Sequence, residues 1–177
     1  MSECWSGGPI FLVGLMGAGK TTLGKLMAAE LHLPFYDTDD EIQHRSGADI
    51  PWIFDVEGEQ GFRDRETHVL EDMVQQGNAV VSTGGGIVVR EENRALLKSS
   101  GHVVYLCATA EQLYARIGKD KRRPLLQTDD PLARLRALLA SREGFYRDVA
   151  DQVFMSDNSS PKDAAKKLAQ SITAFYS

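Results

Sequence analysis

The chain has 177 residues, 42% of them hydrophobic and 25% charged, a balance that suits one folded domain with a real core. A net charge of −5 disfavours general binding to nucleic acid or anionic membrane, so any bound nucleotide has to be held by a local positive field. The N-terminus lacks a basic stretch followed by an apolar core, and no apolar run approaches the ~20 residues of a membrane span, so a cytoplasmic chain is expected.

The leader Met1–Pro9 carries no usable pattern. The first element is Ile10–Val13, a short apolar run of the kind that forms a buried strand. Directly after it, Gly14-Leu15-Met16-Gly17-Ala18-Gly19-Lys20-Thr21 reads G-x-x-x-x-G-K-T, the phosphate-loop pattern. Thr22–Leu31 follows with Leu23, Leu26, Met27 and Leu31 at helical spacing, so strand, glycine turn and helix stand in the order the motif requires. Glycines let successive amides curl toward phosphate oxygens, and the helix N-terminus adds partial positive charge. Lys20 can reach the outer phosphates, and the Thr21 hydroxyl can ligate magnesium.

Further strands are expected at Pro34–Tyr36, Ala79–Ser82, His102–Cys107 and Gln152–Met155. Helical periodicity covers Glu59–Gln76, Glu91–Lys98, Ala110–Ile117, Pro131–Ala150 and Pro161–Tyr176, the last opened by Ser160 as cap. Strands alternating with helices imply a parallel sheet covered on both faces, with ligands beyond the carboxyl ends of the strands. Asp39–Phe62 and Lys119–Asp130 do not fit the alternation and are candidate inserted or mobile pieces. Two cysteines imply no disulfide framework; Cys107 falls in the fourth strand and reads as a free buried thiol, while Cys4 lies in the leader.

The residues after each strand carry the chemistry. Asp37 and Asp39, on an extended chain, project to the same side; one can hold magnesium and the other can take a substrate hydroxyl. Asp39, Asp40 and Glu41 also suit the first turn of a helix running to Arg45. Arg63, just inside a helix start, is electrostatically misplaced, so it either pairs with an acid such as Glu66 or faces a ligand anion. Arg65 reads as a solvated surface charge. Gly84-Gly85-Gly86 has no packing value of its own and suits a backbone that passes close to a ligand, or else a plain flexible turn. The basic run Lys119–Arg123, between Gly118 and Pro124, reads as a lid that carries an arginine over transferring phosphate. Arg142 and Tyr146 share one helix face, with an Arg–Glu surface pair as the plainer alternative.

Together these residues resemble the shikimate kinase family. The resemblance rests on Gly14–Thr21, Asp37-Thr38-Asp39, Phe62-Arg63-Asp64-Arg65-Glu66, Thr83–Gly86, Arg123-Pro124-Leu125-Leu126 and Arg142 with Tyr146, in family order. It implies a three-layer α/β P-loop fold, with a five-stranded parallel sheet in nucleoside-monophosphate-kinase style. One domain would span residues 1–177, with a substrate-binding insertion near 39–65 and a lid near 119–130. The implied reaction is ATP-dependent phosphorylation of shikimate at its 3-hydroxyl by a monomeric enzyme, with neither nucleic acid nor membrane as partner. Gly17, Ala18, Gly19, Lys20, Thr21, Thr22, Arg116 and Arg123 would hold ATP, Arg116 by packing on adenine. Thr21 and Asp37 would serve Mg2+. Lys20, Asp39 and Arg123 would be catalytic. Asp39, Arg63, Arg142 and the backbone of Gly84, Gly85 and Gly86 would bind shikimate, the two arginines by clamping its carboxylate. A small-molecule kinase acting on gluconate is the nearest rival. A GTP-hydrolysing switch is disfavoured because no N-K-x-D string occurs.

Overall fold

A computed structural model of the chain describes residues 5–117 and 126–177. Five strands form one sheet in the order β2-β3-β1-β4-β5, all neighbours parallel. They are β1 (Ile10–Val13), β2 (Phe35–Asp37), β3 (Val80–Ser82), β4 (His102–Cys107) and β5 (Gln152–Met155). All of β1, β3 and β4 is buried, as expected of strands covered on both faces, whereas the edge strand β5 alternates half-buried and exposed residues. The helices are α1 (Lys20–Leu31), α2 (Thr38–Ser46), α3 (Ile50–Gln75), α4 (Glu91–Ser100), α5 (Ala110–Ile117), α6 (Pro131–Val149) and α7 (Pro161–Phe175). In one layer α1 packs on α7; in the other α4 joins α3 to α6.

β1 lies where the strand order turns, between β3 and β4. The chain leaves it for one side of the sheet, returns, and continues on the other. Such a switch point opens a crevice at the strands' carboxyl ends, and there the phosphate loop sits.

One local expectation needs correction. The stretch 39–62, which falls outside the strand–helix alternation, contains α2 and the front of α3, capped by Asp37 and Asp49 through the amides of Asp39, Asp40 and Trp52. Asp37 and Asp39 therefore do not alternate along an extended chain. The strand ends at Asp37, and Asp39 stands in the first helical turn. The leader also has a place, since Trp5 is buried and its ring meets Tyr176 and His102 edge-on. Lys119 to Arg123, including the arginine expected to act from the lid, falls outside the described residues, as does Cys4.

Candidate active site

α1 begins at Lys20 behind Gly19, which has φ 96° and no side chain with which to cap the helix. The first amides of the helix are thus left to an outside acceptor, which is what a phosphate supplies. Lys20 is 8% exposed and its ammonium donates to the carbonyls of Gly14 (2.6 Å) and Leu15 (3.0 Å), folding it back over its own loop. The Thr21 hydroxyl donates to Asp37 Oδ2 at 2.8 Å. One pair of hard oxygen donors thereby stands at the foot of the phosphate loop, where a small divalent cation bound mainly by phosphate and water needs only one or two protein ligands.

On one side of the loop lies a cleft of about 270 Å³, bordered by Ala18, Gly19, Thr22, Arg116, Phe154 and Pro161. Arg116 spans its mouth, donating to the Gly17 carbonyl (3.0 Å) and the Ser156 hydroxyl (2.7 Å). Cys107 also borders the cleft, as a buried free thiol.

On the other side is a second cleft of about 370 Å³, where Asp39, Arg63, Glu66, the three glycines and Arg142 converge. Met16 of the phosphate loop is part of its wall, so the two clefts meet at the loop. Arg63 and Arg142 are both buried, at 4% and 7% exposure. Arg63 takes both of the courses open to it. Its Nη1 donates to Glu66 Oε1 at 2.8 Å, while its guanidinium also faces the cleft and its Nε has no protein partner.

Two carboxyls of the cleft, Asp39 and Glu66, are held above their usual range. Burial, then repulsion from Glu66 and Asp37, pushes the Asp39 carboxyl up to about 7, against the pull of Lys20. Burial raises Glu66 too, opposed by Arg63. Among the described residues Asp39 Oδ1 and Glu66 Oε2 are buried without partners, the condition of groups that await a ligand's hydrogen atoms.

The triple glycine does have packing value, contrary to expectation, though for the site and not for the core. A Cβ at Gly84 would lie 2.7 Å from Asp39 Oδ1 and 2.8 Å from Glu66 Oε2. One at Gly86 would strike the Arg63 guanidinium. The glycines let side chains from α2 and α3 close over the backbone. Gly86→Ala is expected to lower stability by about 1–3 kcal/mol in a denaturant titration, since the buried Arg63–Glu66 pair must move to admit the methyl.

Sequence reasoning gave no role to Thr38, whose hydroxyl accepts from the Gly84 amide at 3.0 Å and ties the glycine turn to α2. The Tyr146 hydroxyl donates to the Gly85 carbonyl from the other side, and its ring stacks on Tyr105. Phe54 and Phe62, at 4.8 Å between ring centroids, form an apolar wall; Phe62 stood in a quoted motif, whereas Phe54 had no signal beyond its hydrophobicity. The surface pair of α6 is Arg147 with Glu143, leaving Arg142 to the cleft.

A sequence profile of the family described as "Shikimate kinase" matches residues 16–173. The shikimate kinase of Hahella chejuensis is 49% identical over 165 residues, 93% of this chain and 86% of its own. That of Nitrosospira multiformis is 51% identical over 166 residues, 94% and 85% of the two chains. Among solved structures, the shikimate kinase of Acinetobacter baumannii in complex with shikimate superposes with a TM-score of 0.92 at 45% identity, covering 94% of this chain and 93% of that one. A gluconokinase from Sinorhizobium meliloti reaches a TM-score of 0.55 at 16% identity over 96% of this chain and 97% of its own, a likeness of fold alone.

Proposed function

The chain belongs to the shikimate kinase family, and we propose the following division of labour among its residues in moving the terminal phosphoryl group of ATP to the 3-hydroxyl of shikimate. The chain phosphorylates shikimate with ATP, a step of aromatic biosynthesis. The observation that carries the residue assignments is the pair of buried guanidiniums, Arg63 and Arg142, in the same cleft as an unpartnered Asp39 oxygen beside the phosphate loop.

The 270 Å³ cleft takes the adenosine portion of ATP, with Arg116 against the base. The amides of Gly17 to Thr22 and the Lys20 ammonium take the phosphates. Thr21 and Asp37 hold Mg2+, which neutralises phosphate charge when bound. In the 370 Å³ cleft, Arg63 and Arg142 fork onto the shikimate carboxylate with charge-assisted hydrogen bonds. The backbone of Gly84, Gly85 and Gly86 bounds the ring, and Asp39 accepts the hydrogen of the attacking hydroxyl. Arg123, expected to reach the phosphates from the lid, is retained as a sequence-based assignment. A monomer is the state proposed from the sequence. Among the described residues no helix is long and apolar enough to cross a membrane, in keeping with work in the cytoplasm.

Product identification tests the acceptor directly. Incubation with ATP, magnesium and shikimate should give ADP and a shikimate phosphate ester at the 3-position, whereas gluconate should stay unmodified. Phosphorylation of gluconate instead would reject the substrate assignment.

Asp39 carries a distinct pH signature. A proton acceptor must be ionised, so kcat/KM for shikimate should rise as pH passes through about 7 and then level off. Its carboxyl titrates higher folded than unfolded, so the folded state loses stability as pH climbs from about 3.8 to about 7. Over three pH units that loss is about 4 kcal/mol. Asp39→Asn should therefore be much slower yet melt higher than the parent at pH 8, with the gap closing at pH 4. Equal melting temperatures at both pH values would refute the buried-acid reading.

A further inference from the structure

α3 is one helix with an elbow. Gly58 has φ 73° and ψ −179°, a left-handed backbone that breaks the helical path between a front segment, Ile50 to Glu57, and the rear. The front supplies Ile50, Pro51 and Phe54 to the 370 Å³ cleft, and the rear supplies Phe62, Arg63 and Glu66. The angle at Gly58 therefore sets the distance between the two walls.

The rear is tied to the frame by Arg90, which donates to Asp64 (2.7 Å), Gln60 (3.1 Å) and Thr67 (3.3 Å). Across the elbow itself runs one bidentate ion pair. Arg65 Nε donates to Glu57 Oε2 at 2.8 Å, and Arg65 Nη2 donates to Glu57 Oε1 at 2.7 Å. Arg65 is partly exposed, in keeping with the surface charge that the sequence suggested, and is ion-paired as well. Gly61 lies beneath the bridge: a Cβ there would collide with the Glu57 Cβ and stand 3.3 Å from Oε2. A bare backbone at this point lets Glu57 fold back over the elbow.

We propose that Glu57 and Arg65 form a clasp that fixes the elbow of α3 and so holds the front wall of the shikimate cleft at its gripping distance. Neither residue borders the cleft, so both are positioning residues; the proposal rests on reading that cleft as the acceptor site. A planar fork on a carboxylate defines an angle as well as a distance, which a single-point contact does not. The front segment is also held by buried Ile53 and by Phe54 against Phe62, so opening the clasp loosens the elbow without unfolding it.

Arg65→Ala, Glu57→Gln, their double variant and Arg65→Lys test the clasp by steady-state kinetics and by hydrogen exchange of the amides of residues 50–57. Each of the first two should raise the shikimate KM about fivefold, the upper range for a partly exposed ion pair of good geometry. Both kcat and the ATP KM should stay within twofold. The double variant should be no worse than the worse single, as expected of one shared interaction. Arg65→Lys should fall between parent and Arg65→Ala. Exchange should quicken in 50–57 and stay unchanged in 66–75. Unchanged shikimate KM together with unchanged exchange would overturn the proposal, as would a parallel loss in both substrates' KM values and in exchange protection throughout α3. Absence of shikimate turnover in the parent would instead sink the acceptor-site reading, while exchange in 50–57 would still report on the clasp.

Discussion

Arg63→Ala is expected to raise the shikimate KM steeply and to leave the ATP KM close to its parent value. A charge-assisted clamp on a carboxylate contributes about 2–5 kcal/mol to kcat/KM, a loss of some 30-fold to several thousandfold. The structure adds a second consequence. Glu66 is fully buried, and Arg63 Nη1 at 2.8 Å is the closest cation to it. Removing the guanidinium takes away the ion-pair partner of a buried carboxylate and leaves only the more distant Arg142 and Arg90 to offset it, which costs about 3–5 kcal/mol of folding stability. The carboxyl of Glu66, already raised by burial, would climb further, so the variant should lose stability as pH rises. Arg63→Ala with Glu66→Gln separates the two effects. It should recover most of the melting temperature and none of the affinity for shikimate. A KM near the parent value in either variant would remove Arg63 from the clamp.

Lys20→Ala should act on turnover. The ammonium is a point charge placed where the migrating phosphoryl group develops negative charge, and loss of one such stabilising group costs about 10²–10³ in kcat. Lys20 donates to the Gly14 and Leu15 carbonyls, which holds its ammonium over the phosphate loop. Single-turnover experiments with ATP and saturating shikimate read phosphoryl transfer without interference from product release. An intact rate would mean that Lys20 stays on its loop carbonyls throughout, and the phosphate-loop assignment would fail.

Both experiments probe a site whose members come from distant parts of the chain. Asp39 stands in α2, Arg63 and Glu66 in α3, the glycines after β3 and Arg142 in α6. The sheet order explains why they meet. β2 and β3 end side by side, so Thr38 at the start of α2 touches Gly84 just beyond β3. α6 packs against α4 and β4, and its Tyr146 reaches the Gly85 carbonyl. The elbow at Gly58 then turns the front of α3 to face the rear across the cleft.

Most of the elements were legible from pattern. β1, β4, β5 and α5 have the bounds expected from their apolar periodicity, and Ser160 caps α7 as its position before Pro161 suggested. In the region 39–62 the helix running to Arg45 was legible from its acidic first turn, whereas the front of α3, Ile50 to Glu57, was not. α2 is mostly polar, and α3 is interrupted by glycines that serve the elbow and the clasp. Arg65 was legible as a surface charge but not as a paired one. Its partner Glu57 lies eight positions back, a spacing that no regular helix face brings together and that only the break at Gly58 closes.

By itself, then, the sequence determined the phosphate loop, the parallel α/β architecture and the identity of the chemical groups after each strand. Those signals are short-range: a glycine spacing, an apolar run and a capping residue act through neighbours in the chain. Tertiary structure alone decided that Asp39 is a buried acid crowded by Glu66, that Arg63 pairs and still faces the cleft, and that Gly84 and Gly86 are demanded by side chains closing over them. Burial and Coulomb interaction depend on distance through space, and the distances were set only when residues far apart in the chain came to line one pocket.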